Sequence, residues 1–182
     1  MPAYAYAILA LGWLVWLLPF LLFRRRSSAP VKLDRRARWG LLLEILAYSL
    51  LWQSDFWTRS SAPWRIASSI ALFVLAGLLS WTAVRALGRQ WRIDAGLNPD
   101  HELVRSGPYG VVRHPIYSSM ISMLLGTGFM ITPWPLLLAA FVLFLIGTEI
   151  RVRVEDKLLA SRFGDRFRQY RRSVPAYMPL LR

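Results

Sequence analysis

The sequence predicts an all-α integral membrane protein with about five transmembrane helices. Three observations lead to this prediction. The chain of 182 residues is 55% hydrophobic and has a mean hydropathy of +0.37, which is above the range of soluble domains. Its apolar residues gather in runs that approach or reach the length of a bilayer-spanning helix. Its basic residues lie mostly in alternate connections between these runs, as expected for loops on one side of a membrane.

Five apolar runs follow one another along the chain. The first covers residues 4–23, and its charges follow rather than precede it, which favours a retained anchor over a cleaved signal peptide. The second covers residues 39–57 and the third residues 64–87. The fourth and fifth, at residues 117–131 and 136–150, are shorter. We expect each run to form one helix across the membrane.

Prolines mark the ends of the fourth and fifth helices. Residues 132–135 read Thr-Pro-Trp-Pro. Each proline lacks an N–H group and disfavours helix in the residue before it, so this stretch predicts a tight turn within a helical hairpin. Pro115 follows His114, and proline suits the first position of a helix. The fourth helix is therefore expected to begin at this dipeptide.

The placement of the basic residues predicts the orientation. Seven of the 23 Lys and Arg residues lie between the first and second runs, two near the next connection, five in residues 85–113 and nine from residue 151 onward. By the positive-inside bias, the N-terminus is outside and residues 24–38, 85–116 and the C-terminal tail are cytoplasmic. The basic loops suit anionic lipid headgroups. Because no separate basic module carries aromatic residues, we expect no nucleic-acid partner.

The composition also limits the chemistry. The chain has no cysteine, which excludes disulfides, thiolate catalysis and cysteine-based metal sites. Its two histidines, His101 and His114, lie far apart in the sequence and have no obvious companions. We therefore expect no metal site.

The motif GPYGVVRHPIY at residues 107–117 predicts a pocket at the membrane surface. Its glycines permit tight turns and close approach of a ligand to the main chain. Arg113 and His114 lie at the predicted boundary, and Tyr117 lies about one helical turn further in. Each has a structural alternative: Arg113 could contact headgroups, His114 could cap the helix, and Tyr117 could be an interfacial aromatic. Their concentration beside the glycines favours a binding site, where free N–H groups at the helix start could face an anion.

A second polar segment follows the fifth run. Arg151 and Glu155 are spaced to share one face of a continuing helix, either as part of a site or as a salt-bridge ladder at the membrane exit. The apolar spacing beyond them predicts an amphipathic helix on the cytoplasmic membrane face, defined by Leu158, Leu159, Phe163 and Phe167. Tyr170 and residues 174–181 are expected to fold back over residues 107–117.

Glu44 is an isolated acid within the second run. A lipid-facing carboxylate would be costly there, so we expect it to face the bundle. It is expected either to pair with an arginine of residues 24–38 or to line a substrate cavity.

Together, the two polar segments resemble one known family. The motif GPYGVVRHPIY is followed, 38 positions after Tyr117, by EDKLLASRFGDRFRQYRRSVP at residues 155–175. This pair of motifs resembles the isoprenylcysteine carboxyl methyltransferase family over residues 88–179, about half of the chain. Asp156 departs from the usual second glutamate, and Phe167 stands where tyrosine is common. The resemblance implies one membrane domain, residues 1–182, with three helices in residues 1–87 and a catalytic half in residues 88–182.

The family uses S-adenosylmethionine, so the resemblance also implies a cofactor pocket. Arg151 and Glu155 match the family's arginine and first acidic residue and are the candidate catalytic residues. Arg151 and Glu44 are the candidate substrate-binding residues. The residues expected at the cofactor are His101, Leu103, Val104, Gly107, Tyr109, Val112, Arg113, His114, Pro115, Tyr117 and Glu155.

The expected activity is methylation of an acceptor that lies in the membrane. The leading acceptor is the carboxylate of an isoprenylated cysteine or a similar lipid. A carboxylate is already ionised at pH 7, so it needs a cation such as Arg151 rather than a general base. Phospholipid N-methylation is an alternative that would favour Glu155. An NADPH-dependent membrane reductase and a non-enzymatic scaffold are further alternatives. We expect a multi-pass protein of a prokaryotic inner membrane, and the sequence leaves its oligomeric state open.

Overall fold

The computed structural model describes residues 2–23, 32–53, 55, 62–93 and 95–178, and it confirms the all-α membrane class. Six helices are present in this part of the chain. They are α1 (Ala3–Leu22), α2 (Ala37–Leu50), α3 (Pro63–Leu87), α4 (Pro115–Ile131), α5 (Trp134–Phe163) and α6 (Asp165–Ser173). Short 3₁₀ turns cover Gly88–Gln90 and Gly107–Gly110, and β1 (Lys32–Leu33) pairs antiparallel with β2 (Gly96–Leu97).

Among the described residues, three helices are long and apolar enough to cross a membrane: α1, α3 and α5. The helix α4 is apolar but shorter, and α2 has 14 residues. The second apolar run was expected to stay helical to residue 57, but α2 ends at Leu50 and residues 51–53 form turns. Residue 54 and residues 56–61 lie outside the described chain, as do the predicted loop arginines 24–26.

The helices pack as two groups that meet at α4. The helix α3 packs against α1 and α4, and α2 packs against α5. The α2–α5 contact is close because Gly40 and Gly147 face each other, so a Cβ atom on Gly40 would lie 2.4 Å from the Gly147 carbonyl oxygen. One apolar core includes Leu9, Phe73 and Met123. A second core lies among α2, α4 and α5.

The prolines set the helix boundaries as expected. The helix α4 begins at Pro115, and α5 begins at Trp134 after the two residues Thr132 and Pro133. Arg65 of α3 secures this turn, because it donates hydrogen bonds to the carbonyls of Phe129 and Thr132 at 2.7 and 2.6 Å. The last turn of α4 thereby gains donors for its unpaired carbonyl groups.

The C-terminal helices differ from the expectation. The fifth apolar run ends at residue 150, and α5 continues beyond it, as the shared face of Arg151 and Glu155 requires. It spans 30 residues and ends at Phe163, before Gly164 with a φ of +54°. Residues 158–163 are therefore the end of α5 rather than the start of a surface helix. In α6, Phe167 and Tyr170 are buried against the protein. The apolar side of α6 thus faces the fold rather than the bilayer.

A C-terminal strap (residues 174–177) returns over the loop before α4, as expected. The backbone N–H of Arg113 donates to Pro175 O at 2.8 Å, and that of His114 donates to Ala176 O at 2.8 Å. Ser118 Oγ donates to Tyr177 O at 2.6 Å. Arg113 Nη1 also donates to Val174 O, so within the described residues four hydrogen bonds join the strap to the start of α4.

Candidate functional site

The start of α4 and the C-terminal half of α5 hold the site between them. Gly107 has a φ of +60°, a backbone angle that favours glycine, and it opens the turn before α4. His114 precedes the helix with φ −128° and ψ 64°. This geometry directs the side chains of Arg113 and His114 towards Glu155 and Asp156 of α5.

His114 bridges the two neighbouring acids. Its Nε2 lies 3.0 Å from Asp156 Oδ1, and its Nδ1 lies 3.3 Å from Glu155 Oε2. Burial alone would lower the pKa of His114, but the hydrogen bonds to Asp156 and Glu155 outweigh it and raise the pKa to about 9. The imidazole is therefore protonated at neutral pH, and both ring nitrogens donate.

Arg113 and Tyr117 complete this cluster. Arg113 Nη2 lies 3.0 Å from Asp156 Oδ2, and its Nη1 donates to Val174 O in the C-terminal strap. The Tyr117 hydroxyl donates to Glu155 Oε1 at 2.5 Å. Both carboxylates are thus held by donors from the start of α4, and charge-assisted hydrogen bonds of this kind are the stronger ones.

Arg151 and Glu44 form a second buried pair. Arg151 Nη1 lies 2.7 Å from Glu44 Oε2, and Thr148 Oγ1 donates to Glu44 Oε1 at 3.1 Å. The Glu44 side chain is 1% exposed and that of Arg151 9%. Glu44 therefore faces the bundle as expected, but its arginine partner comes from α5. Arg151 also lies over the Tyr117 ring at 5.1 Å, within range of a cation–π interaction.

A cavity of about 400 Å³ joins these groups to an apolar wall. Its volume lies within the range of small-molecule sites. Its polar residues come from the loop and α5, while α1 supplies aromatic and aliphatic ones. The lining includes Trp16, Leu17, Phe20, Leu21, Leu41, Trp91, Ile93, Ile116, Met120 and Leu159.

Most of the predicted site residues line this cavity. They are His101, Leu103, Val104, Tyr109, Arg113, His114, Tyr117, Arg151 and Glu155. Val112 and Pro115 are buried beside it, Gly107 is exposed, and Glu44 reaches it only through Arg151. The structure therefore brings together predicted site residues that the sequence separates by as much as 54 positions, the span from His101 to Glu155.

The expected anion binding by free N–H groups at the start of α4 needs correction. The N–H groups of Arg113 and His114 are not free, since the C-terminal strap accepts them, and those of Tyr117 and Ser118 bond to His114 O. The His114 ring is likewise engaged at both nitrogens. Within the cluster, His114 therefore holds Glu155 and Asp156 in place.

Some buried polar atoms of cavity-lining residues lack a partner. Within the described residues, His101 Nδ1, Arg113 Nε and Arg151 Nε make no hydrogen bond. Burial and the nearby Arg162 lower the pKa of His101, so its ring is neutral at pH 7. Unpaired buried groups are costly, and a polar ligand in the cavity would supply partners. The cavity therefore offers polar groups on one side and aromatic rings on the other to a ligand.

The sequence reasoning missed Asp156 as a site residue and missed the contribution of α1. Asp156 was noted only as a departure from a motif, yet it accepts from both Arg113 and His114. Trp16 and Phe20 lie about a hundred positions before the motif. Their only sequence signal was the concentration of aromatic residues towards one end of the first run.

Comparison with known proteins adds a family match. The model of the phospholipid methyltransferase family matches residues 64–166. The protein-S-isoprenylcysteine O-methyltransferase of Schizosaccharomyces pombe is 39% identical over 117 residues, 63% of this chain and 49% of that protein. The protein-S-isoprenylcysteine O-methyltransferase B of Arabidopsis thaliana is 27% identical over 146 residues, 78% of this chain and 73% of that protein.

A relative named for metal resistance is about as similar to the chain as the plant methyltransferase is. The cobalt-zinc-cadmium resistance protein CzcN of Cupriavidus metallidurans is 28% identical over 144 residues, 79% of this chain and 62% of that protein. The chain spans about half the length of the fission yeast relative and less than two thirds of CzcN. The resemblance indicated by residues 107–117 and 155–175 is nevertheless confirmed.

Proposed function

The chain belongs to the phospholipid methyltransferase family, and from this premise we propose that it transfers a methyl group from S-adenosylmethionine to an acceptor in the membrane. The observation that carries the proposal is the cavity of about 400 Å³, whose polar wall faces an apolar one. A polar cofactor and a lipid-linked acceptor need such a pair of surfaces at membrane level.

The polar wall supplies the cofactor site. The proposed residues remain His101, Leu103, Val104, Gly107, Tyr109, Val112, Arg113, His114, Pro115, Tyr117 and Glu155. S-adenosylmethionine, when bound, supplies a methyl group activated by its sulfonium centre. Glu155 is held by His114 and Tyr117, so it presents a fixed carboxylate to an ammonium or to ribose hydroxyls. The rings of Tyr109 and Tyr117 offer faces to a cation.

Arg151 is the proposed ligand of the acceptor's carboxylate. Its Nη1 is engaged by Glu44 and its Nη2 by Ile93 O, while Nε makes no hydrogen bond within the described residues. Glu44 thus orients the guanidinium rather than touching the acceptor itself. Transfer forms an oxygen–methyl bond and breaks the sulfur–methyl bond. Because the carboxylate is ionised at pH 7, no proton has to leave, and the residues act by alignment and desolvation.

The acceptor is proposed to be an isoprenylated cysteine carboxylate or a similar lipid carboxylate. The names of the yeast and plant relatives support this choice, as does a cation in the cavity. A phospholipid amine is the second candidate, favoured by the family's description. It would have to be neutral to attack, so it would depend on Glu155 more than on Arg151.

The charge placement supports a site on the cytoplasmic side, with the N-terminus outside. Arg113 and the eight described basic residues from Arg151 to Arg172, in α5 and α6, lie at the same end of the bundle as the cavity. Labelling of single cysteines introduced at Ser106 and Ala62, in intact cells, tests this orientation. Labelling at Ser106 but not at Ala62 by an impermeant reagent would refute it.

The first experiment measures cofactor binding. Calorimetry on detergent-purified protein would compare S-adenosylmethionine and S-adenosylhomocysteine on wild type, His114→Ala and Glu155→Ala. Asp165→Asn is the control, because its carboxylate is 93% exposed and, within the described residues, its salt bridge is with the exposed Arg168. We expect binding by wild type and the control, and loss in the two site variants with folding retained. Failure of well-folded wild type to bind would contradict the proposal.

The second experiment separates the two acceptors. Methyl-labelled cofactor is incubated with S-farnesyl thioether carboxylates or with phosphatidylethanolamine vesicles. A methyl ester releases labelled methanol in base, whereas an N-methyl group does not. Base-labile label supports the carboxylate proposal, and base-stable label on the phospholipid would replace it with N-methylation.

A further inference from the structure

The cavity has a floor made by two residues. Its lining includes Trp16, Leu17, Phe20 and Leu21 on α1, and Ile116, Tyr117 and Met120 on α4. Among the described lining residues, none on α1 precedes Trp16 and none on α4 follows Met120. Each helix presents a stripe of residues that starts near the loop and runs into the bundle. Trp16 and Met120 are therefore the deepest points of their stripes.

Close-packed core lies beyond this floor. Trp16 is 8% exposed and belongs to the same buried cluster as Leu9, Phe73 and Met123. Met120 packs against that cluster as well as the core around α5. Well-packed interiors contain few voids larger than water, so a chain entering from the loop side stops at Trp16 and Met120.

The indole of Trp16 is fixed in position. Its Nε1 donates to Ser119 Oγ at 3.1 Å. Its ring meets Trp13 edge-on at 5.7 Å and Phe20 at 5.3 Å. A buried aromatic held by a hydrogen bond and two ring contacts has little freedom to swing away.

The other half of the floor is braced from α2. The Tyr48 hydroxyl donates to Met120 O at 2.8 Å, and the Tyr48 ring meets Trp13 at 5.5 Å. One set of contacts therefore connects α1, α2 and α4 directly beneath the cavity. Contacts from three helices therefore hold the floor of the cavity in place.

The wall above Trp16 is apolar. Leu17 and Phe20 of α1 lie next to it in the stripe, whereas the charged groups Glu155 and Arg151 come from α5. A hydrocarbon therefore fits best along α1, with its polar end towards α5. Because α1 contributes no charged side chain to this wall, a polar tail would find no partner along it.

We propose that Trp16 limits the length of the acceptor's hydrocarbon tail. The tail lies along α1, and its end meets the indole plane. A tail that ends short of the floor leaves space unfilled, and one that exceeds it prevents the polar end from reaching Arg151. This inference rests on the proposed function, because it requires a lipid-linked acceptor.

The test is a tail-length series. Thioether carboxylates bearing geranyl, farnesyl or geranylgeranyl tails are offered to wild type and to Trp16→Ala, and kcat/KM is measured for each. We expect wild type to prefer one tail length. Trp16→Ala should raise the ratio of kcat/KM for the next longer tail to kcat/KM for the preferred tail by about tenfold or more, since even one methylene in an apolar pocket can change kcat/KM by about tenfold. Leu14→Ala is the matched control on α1, 59% exposed and outside the cavity, and should keep the wild-type ratio.

The outcomes separate the two proposals. Methyl transfer with no preference in wild type, or with the same ratio in Trp16→Ala, overturns the role of Trp16 and leaves the methyltransferase intact. No transfer by wild type to any tail overturns both. If Trp16→Ala fails to fold, Ser119→Ala frees the indole and Met120→Ala lowers the other half of the floor. Both should shift the ratio in the same direction, and no shift in either overturns the proposal.

Discussion

The buried pair of Glu44 and Arg151 provides the sharpest stability prediction. The charges are 2.7 Å apart, which corresponds to about 6 kcal/mol of attraction at an effective dielectric constant of about 20. Desolvation of both groups opposes most of this attraction. Removal of one member leaves the other unpaired, which typically costs about 3–5 kcal/mol. Glu44→Gln keeps the shape of the side chain and one hydrogen-bond acceptor, so we expect the free energy of unfolding to fall by about 3 kcal/mol.

Thermal unfolding in detergent measures this loss. A change of about 3 kcal/mol corresponds to a fall in Tm of about 6–12 °C for a domain of this size. Arg153→Met is the control, because Arg153 also pairs at 2.7 Å, with Glu149, but its side chain is 76% exposed. Exposed pairs contribute about 0–1 kcal/mol, so its Tm should fall by no more than about 4 °C.

The double variant distinguishes a pair from two independent residues. Removing both charges leaves no buried unpaired ion, so Glu44→Gln combined with Arg151→Met should be more stable than the sum of the single losses by more than about 1 kcal/mol. Additive losses would refute the reasoning, as would a Glu44→Gln protein that melts like wild type.

Three further predictions concern other parts of the fold. The pKa of His114 is about 9 in the folded protein and 6.5 when unfolded, so the stability that its protonation contributes is complete below pH 6.5 and is lost as pH rises through 9. Between pH 6 and 10, Tm should therefore fall more steeply for wild type than for His114→Gln. Parallel curves for the two proteins would contradict this. Tyr170→Phe removes a hydroxyl that donates to Tyr109 O at 2.5 Å and should cost about 1–3 kcal/mol, visible as a lower Tm, because the buried carbonyl loses its partner. Gly40→Ala places a Cβ 2.4 Å from a carbonyl of α5 and should cost at least about 1–3 kcal/mol, whereas Gly110→Ala, with its nearest neighbour at 3.5 Å, should melt like wild type.

Local rules predicted the boundaries of α4 and the turn before α5, because the effect of proline acts on its own residue and the one before it. The surface helix predicted from Leu158 onward was wrong in its start. The charged residues after Ile150 indicate the end of an apolar span, but leaving the bilayer does not end a helix. Between Ile150 and Gly164 the chain has no glycine or proline, so backbone hydrogen bonding continues to Phe163.

The site itself was only partly predictable. Arg151 and Glu155 share a helix face, and their spacing placed them on one side of α5. Glu44 lies 107 positions before Arg151, and no local pattern identifies a partner at that distance. The buried role of Asp156 likewise depends on how α4 packs beside α5, which is a property of the tertiary fold.

The C-terminal strap has a consequence for synthesis. Translation delivers α1 to α6 before residues 174–177, so the bundle can insert while the strap is still absent. The N–H groups of Arg113 and His114 then lack their acceptors, and Arg113 lacks the carbonyl of Val174. The hydrogen bonds between the strap and the start of α4 can therefore form only after all six helices have been synthesised.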